Sequence, residues 1–223
     1  MSNVLEKFKL DGQVALVTGG VGLLGNQFCQ TLAQAGASVV IADLAEDAAQ
    51  QSARELNRDG FMAMAVGVDV TSPQSTQLMV DQTLSSYGRL DILVCSAALD
   101  PKFDPDHAGQ HGNAFEDYPL SSWQQAVDVN LTGMFLCSQA VVTPMLEQKH
   151  GVIINVSSIY GVAAPDQRMY QREGEPAQFK PVYYTVTKAG VLGMTKYLAA
   201  YYAGKNIRVN ALTPGGVFNQ HND

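Results

Sequence analysis

Short apolar runs alternate with longer stretches of helical spacing along the whole chain. The runs are QVALVT (13–18), SVVIA (38–42), FMAMAV (61–66), DILVCS (91–96), GVIINVS (151–157) and IRVNAL (207–212). Between them, residues 23–35, 45–58, 73–87, 121–148 and 183–203 carry apolar positions at the period of an α-helix. Strand and helix in strict alternation predict βαβ units around a parallel sheet, an α/β fold with helices on both faces. The length of 223 residues fits a single domain spanning 1–223. One helix entry is marked directly: Thr71 or Ser72 serves as cap, with Pro73 in the first turn.

Two segments interrupt the rhythm. Residues 99–120 are rich in Pro, Gly, Asp and His, and residues 162–182 carry three prolines among mixed charges. In an open parallel sheet the ligand lies beyond the carboxyl ends of the strands, where loops of this length are placed to cover a site. Solvated surface loops are the simpler alternative.

The first run leads into TGGVGLLG (18–25) and then a helix. Glycine lets the backbone turn tightly and approach a pyrophosphate, whose charge the helix N-terminus holds. Asp43 ends the second run, where a carboxylate accepts hydrogen bonds from the adenosine ribose hydroxyls. It would also repel a 2′-phosphate, and neither the turn nor Leu44 offers a basic partner, so NAD(H) is expected over NADP(H). Asp43 can equally cap the helix that follows. Asp69, after the third run, is within reach of an adenine edge or of a capping role near Pro73.

Composition narrows the partners. Fourteen Lys and Arg against 21 Asp and Glu give a net charge of −7 with no basic block, which argues against nucleic acid. No uninterrupted apolar run approaches the ~18 residues of a membrane span, and the charged start MSNVLEKFKLDG lacks a secretory core, so a cytoplasmic protein is expected. Cys29, Cys95 and Cys137 are odd in number and widely spaced, as expected of buried apolar side chains. His107 and His111 sit in a Gly/Pro-rich loop, and no metal site is expected.

Tyr184 and Lys188 are four apart at the start of a helical segment, so they share a face. A free tyrosine has a pKa of ~10 and exchanges protons poorly near neutrality. A neighbouring cation favours the phenolate. Ser158, just after a strand, offers a hydroxyl to a substrate oxygen.

Taken together, TGGVGLLG, Asp43, VDVT, DILVCSAA, VNLTG around Asn130, INVSS, Tyr184-x-x-x-Lys188 and RVNALTPGG resemble the short-chain dehydrogenase/reductase family over essentially the whole chain. The resemblance implies a Rossmann-type doubly wound sheet and oxidoreductase activity on a small molecule. It implies Tyr184 as general acid/base, with Lys188 holding the nicotinamide ribose and lowering the tyrosine pKa. Ser158 would polarise the reacting oxygen, with Ser157 one residue out of register, and Asn130 would anchor a water leading protons to the lysine. The cofactor would meet Gly19, Gly22, Leu23, Leu24, Gly25, Asp43, Leu44, Asp69 and Val70. Beyond these it would meet Ser96, Ala97, Ala98, Tyr184, Lys188, Pro214, Gly215 and Val217. Tyr183 is a decoy, because Thr187 lies four residues on. A homo-oligomer, tetramer or dimer, is expected through the two long helical segments.

Several positions depart from the family pattern. Cys95-Ser96-Ala97-Ala98 replaces Asn-Asn-Ala-Gly, and Asn219 stands where a threonine often meets the cofactor. The serine-to-tyrosine gap is about twice the usual length. The chain stops at Asp223, before the usual substrate-covering helix and last strand, as a fragment or a chain without its tail would. In the turn, the family spacing TGxxxGxG expects glycine at 23, but it falls at 22, which fits TGxxGxxG of the extended sugar-nucleotide branch. Gly22 is therefore expected to take over the close approach to the pyrophosphate.

The second insertion brings Arg168, Arg172 and Lys180 beside Tyr170 and Gln171. Arg168, Arg172 and Tyr170 are candidate substrate residues, the arginines for a phosphate or carboxylate. NVSSIYGVAAP, the long insertion and PGGVFN are also similar to a branch tied to bacterial surface-sugar and flagellin-glycan pathways, which implies a sugar-like or phosphorylated polyol substrate. Two rival readings are a non-catalytic NAD-binding module and a sugar-nucleotide epimerase or dehydratase using bound NAD.

Overall fold

The parallel sheet is in place in a computed structural model that describes residues 4–100, 113–174 and 176–217. His107, His111, Asn219 and most of the first insertion lie outside the described residues. Among those described, six strands pair in parallel in the order β3-β2-β1-β4-β5-β6. They are β1 Val14–Thr18, β2 Ser38–Asp43, β3 Ala63–Gly67, β4 Ile92–Cys95, β5 Gly151–Val156 and β6 Ile207–Leu212. The order reverses between β1 and β4, which opens a crevice at their carboxyl ends.

The helices are α1 Leu23–Gln34, α2 Glu46–Arg58, α3 Pro73–Tyr87, α4 Leu120–Val127, α5 Gly133–Gln148 and α6 Val182–Tyr201. Because successive strand residues point to opposite faces, two cores form, one per face. Val17, Val39, Ile41 and Val94 pack with Cys29 of α1 and Ala49 and Ala53 of α2. Leu16, Val40, Leu93 and Ile153 pack with Met79 of α3, Val141 and Met145 of α5, and Val191 of α6. Strand β1 is buried along its whole length. All three cysteines are buried and free.

Two of the sequence boundaries need correction, and the choice of cap is resolved. The third strand starts at Ala63, because the Phe61 N–H closes the end of α2 on the Leu56 carbonyl. Of the two cap candidates, Ser72 accepts from the Ser75 N–H at 3.2 Å, while Asp69 binds the N–H and hydroxyl of Thr71. The segment expected as one helix over 121–148 is broken into α4 and α5 by a π-helical turn, Asp128–Thr132. By length and composition Leu120–Gln148 holds an 18-residue window apolar enough to cross a membrane, with mean hydropathy 1.3. Half of that window is buried within the protein, as in a core helix.

Leu93 is fully buried in the central strand β4. Leu93→Ala should lower the unfolding free energy by about 2–5 kcal/mol, read as a shifted urea midpoint at constant slope.

Candidate active site

The glycine turn is held by backbone packing. Gly19 has φ of +66°, and a Cβ there would lie 2.7 Å from the Ala97 backbone. A Cβ on Gly25 would lie 2.0 Å from the Gly19 carbonyl oxygen, so α1 begins in direct contact with the turn. Gly22 is the N-cap of α1, in extended conformation and with no side chain capping the first turn. Uncapped N–H groups at a helix start favour an anion. Asp43 ties β2 to this turn: its carboxylate accepts from the Val21 N–H at 3.1 Å and from the Ala45 N–H at 3.1 Å. Two accepted bonds leave it capacity for ribose hydroxyls.

Two cavities flank the turn and share Gly19, Gly22, Ser96 and Ala98. The smaller, about 340 Å³, has Asp43, Leu44, Asp69, Val70 and Ala97 in its wall. Among its described lining residues there is no Lys or Arg. The larger, about 440 Å³, runs from Leu23, Leu24 and Gly25 to Ser158, Tyr184 and Lys188, with Pro214, Gly215 and Val217 along one side. The crevice thus brings together every residue the sequence reading gave to the cofactor. Residues, shape and charge fit a dinucleotide: an open helix start for phosphates, a carboxylate for ribose, and a continuous apolar and polar trough.

At the reacting end, the two serines differ in their partners. Ser157 donates to the Lys188 carbonyl at 2.7 Å, whereas the Ser158 hydroxyl accepts from the Tyr160 N–H at 3.2 Å and acts on Tyr184; both are buried at the wall of the larger cavity. Lys188 is 5% exposed and its Nζ donates to the Val156 carbonyl at 2.9 Å. Burial brings its pKa down to about 8. Its Nζ sits 5.8 Å from the Tyr184 ring centroid.

Tyr184 departs from the expected lowered pKa. Burial, and then the charge of Asp100, push it up, against the hydrogen bond from Ser158. Tyr183 is buried, packs on Tyr118 and lines neither cavity.

Asn130 lies in the π-helical turn, a frequent feature of functional helices, but it lines neither cavity. Its carboxamide accepts from the Leu99 N–H at 2.6 Å and donates to the Leu99 carbonyl at 3.1 Å and to Thr187 Oγ1 at 3.4 Å. Its side chain thus braces the segment after β4, where the family's usual asparagine is missing.

The substrate arginines also need correction. Arg168 has an 89% exposed side chain paired with Asp166 at 2.5 Å, and neither it nor the exposed Arg172 lines the cavities. Tyr170 does line the larger one, with its hydroxyl 2.9 Å from that of Tyr160. The sequence reading missed Tyr160 and Asp100, and grouped Lys180 with the loop arginines. Lys180 binds Asp100 at 3.0 Å and lies over the Tyr184 ring, 4.1 Å from its centroid. The available signal was the spacing Lys180-x-x-x-Tyr184-x-x-x-Lys188, a basic residue four positions on either side of the tyrosine.

Comparison with known proteins agrees with this geometry. The short chain dehydrogenase family model matches residues 13–222. A 3-alpha-(or 20-beta)-hydroxysteroid dehydrogenase of Mycobacterium tuberculosis is 37% identical over 207 residues, covering 93% of this chain and 70% of the relative. The structure of NAD+-bound xylitol dehydrogenase superposes with a TM-score of 0.79 at 28% identity, over 93% of this chain and 71% of that one. Gluconate 5-dehydrogenase from Burkholderia cenocepacia, in complex with NADP and tartrate, gives 0.78 at 31% identity, over 96% and 74%. With its fold, its crevice and its sequence in agreement, the chain belongs to the short-chain dehydrogenase/reductase family of oxidoreductases.

Proposed function

We propose that this oxidoreductase is NAD(H)-dependent and interconverts a secondary alcohol and a ketone on a polyhydroxylated, sugar-like molecule. The observation that carries the reading is the convergence of Tyr184, Ser158 and Lys188 at one end of a trough whose other end is the glycine turn and Asp43. The nicotinamide ring, when bound, supplies the acceptor or donor of the hydride. The open start of α1 at Leu23 and Leu24 would hold the pyrophosphate, Asp43 the adenosine ribose, and Pro214, Gly215 and Val217 the carboxamide. Ser158 positions the reacting oxygen and Tyr184 takes or gives its proton. Lys188, charged beside the tyrosine, favours the phenolate once a positive ring approaches.

The preference for NAD(H) rests on Asp43 and on the lack of a cation among the described residues around it. A hydroxyl-rich substrate is favoured by the polar groups of Tyr160, Tyr170, Asp100 and Lys180 in the larger cavity. The xylitol and gluconate enzymes lend this class more support than the steroid enzyme does. The narrower kinship with a surface-sugar branch draws no support from these relatives. A cytoplasmic homo-oligomer, dimer or tetramer, completes the proposal, with Phe135 of α5 and Tyr197 and Tyr201 of α6 exposed for contact.

Tyr184→Phe should cut turnover by roughly 10²–10⁴ while NADH still binds, as followed by fluorescence titration; unchanged turnover would dismiss Tyr184 as proton carrier. Calorimetry should find NADH bound at least about tenfold tighter than NADPH, with the gap erased in Asp43→Ala; a gap that survives the substitution would shift the preference elsewhere. Lys188 adds a pH effect. Its folded pKa of about 8 lies below the ordinary lysine value, so between the two the unfolded chain binds more protons. Stability should therefore rise as pH increases from about 8 towards 10, relative to Lys188→Met, in urea midpoints measured across that range.

A further inference from the structure

The second insertion fixes one lysine with unusual care. Gln167, on a one-turn helix Gln167–Tyr170, clamps the Lys180 backbone from both sides: its Oε1 accepts from the Lys180 N–H at 2.9 Å and its Nε2 donates to the Lys180 carbonyl at 3.2 Å. The Lys180 side chain is only 10% exposed. Its Nζ lies 4.1 Å from the Tyr184 ring centroid, nearer than that of Lys188 at 5.8 Å. A cation at that distance over a tyrosine face is attracted by the ring. On its other side it meets Asp100 at 3.0 Å, from the segment after β4 that Asn130 braces. The ion pair thus joins the two inserted segments, 80 residues apart in sequence, directly above the proposed proton carrier.

We propose that Lys180 and Asp100 act as a positioning pair of opposite charge that sets the proton balance of Tyr184 and Lys188. The idea rests on Tyr184 being the proton carrier of the reaction. Among the described residues, the groups facing Tyr184 are Lys188 from α6, Lys180 from the loop before it, Asp100 after β4 and Tyr160 after β5, with Tyr170 and Tyr183 beside them. Asp100 pushes the Tyr184 pKa up, and also favours the charged form of Lys188. Lys180 opposes it at Lys188. At Lys188 the two charges therefore act in opposite directions, and removing either should expose the influence of the other.

The test is a carbon-13 NMR titration of the Lys188 side chain in this 223-residue chain, with the signal assigned by Lys188→Met. Lys180→Met should move the Lys188 titration to higher pH and Asp100→Asn to lower pH, each by about one pH unit. The double variant should return close to the unsubstituted protein, and Lys180→Arg, which keeps the charge, should leave the titration in place. Shifts of the same sign, no shift, or equal effects of Lys180→Arg and Lys180→Met would overturn the proposal. The titration needs no turnover, so its failure counts against the pair alone. Retained turnover in Tyr184→Phe would count against the proton carrier instead.

Discussion

Three stretches of backbone meet at Gly19, and the rest of the crevice depends on that meeting. The turn after β1, the first turn of α1 and the segment after β4 approach more closely than any side chain would permit. Glycine at 19 and 25 answers this constraint: the first also adopts a positive φ, and the second lets the helix start against the turn's own carbonyl. Once these contacts exist, the open N–H groups of α1 face the crevice and Asp43 is drawn to Val21. The parallel sheet then delivers Ser158 and the Pro214 loop to the same edge, tied by the Ile159 N–H on the Pro214 carbonyl.

That packing also bears on the displaced glycine. A Cβ at Gly22 would meet little beyond the Gly19 carbonyl at 3.2 Å, so steric need inside the protein does not fix glycine there. Its place as an extended N-cap at the wall of both cavities gives it a reason to remain small toward a ligand. Gly19 and Gly25 are demanded by the fold, whereas Gly22 is the one member of the turn whose bare backbone is offered outward.

Much of this was legible in the sequence because it is written in local periods. Strands appeared as apolar runs, helices as 3.6-residue spacing, and the crevice as a glycine cluster followed by a carboxylate. What escaped depends on contacts distant in the chain. Asn130 binds Leu99 across 31 positions, which no window reveals, and its setting in a π-helical turn leaves no mark on composition. Arg168 looked equivalent to Lys180 because both are basic residues of one loop. Their difference lies in neighbours: Asp166, two residues away, occupies the arginine, while Pro181 as N-cap of α6 holds Lys180 beside the helix that bears Tyr184. The tyrosine itself reads as activated in sequence and as suppressed in structure, since burial acts on it before any cofactor charge arrives.

The π-helical turn Asp128–Thr132 has a consequence for how this region can change over time. One extra residue in a helix rotates everything after it by about 100° relative to an uninterrupted α-helix. Here that offset lets α4 pack on α6 while α5, in the same rod, packs on α3 and β5. Substitutions within the turn alter single side chains, but loss of one residue would rotate one half of the rod against the other and turn Cys137, Val141 and Met145 off the sheet. The packing of this segment therefore constrains its length more tightly than its identity: it should tolerate spelling changes and resist deletions.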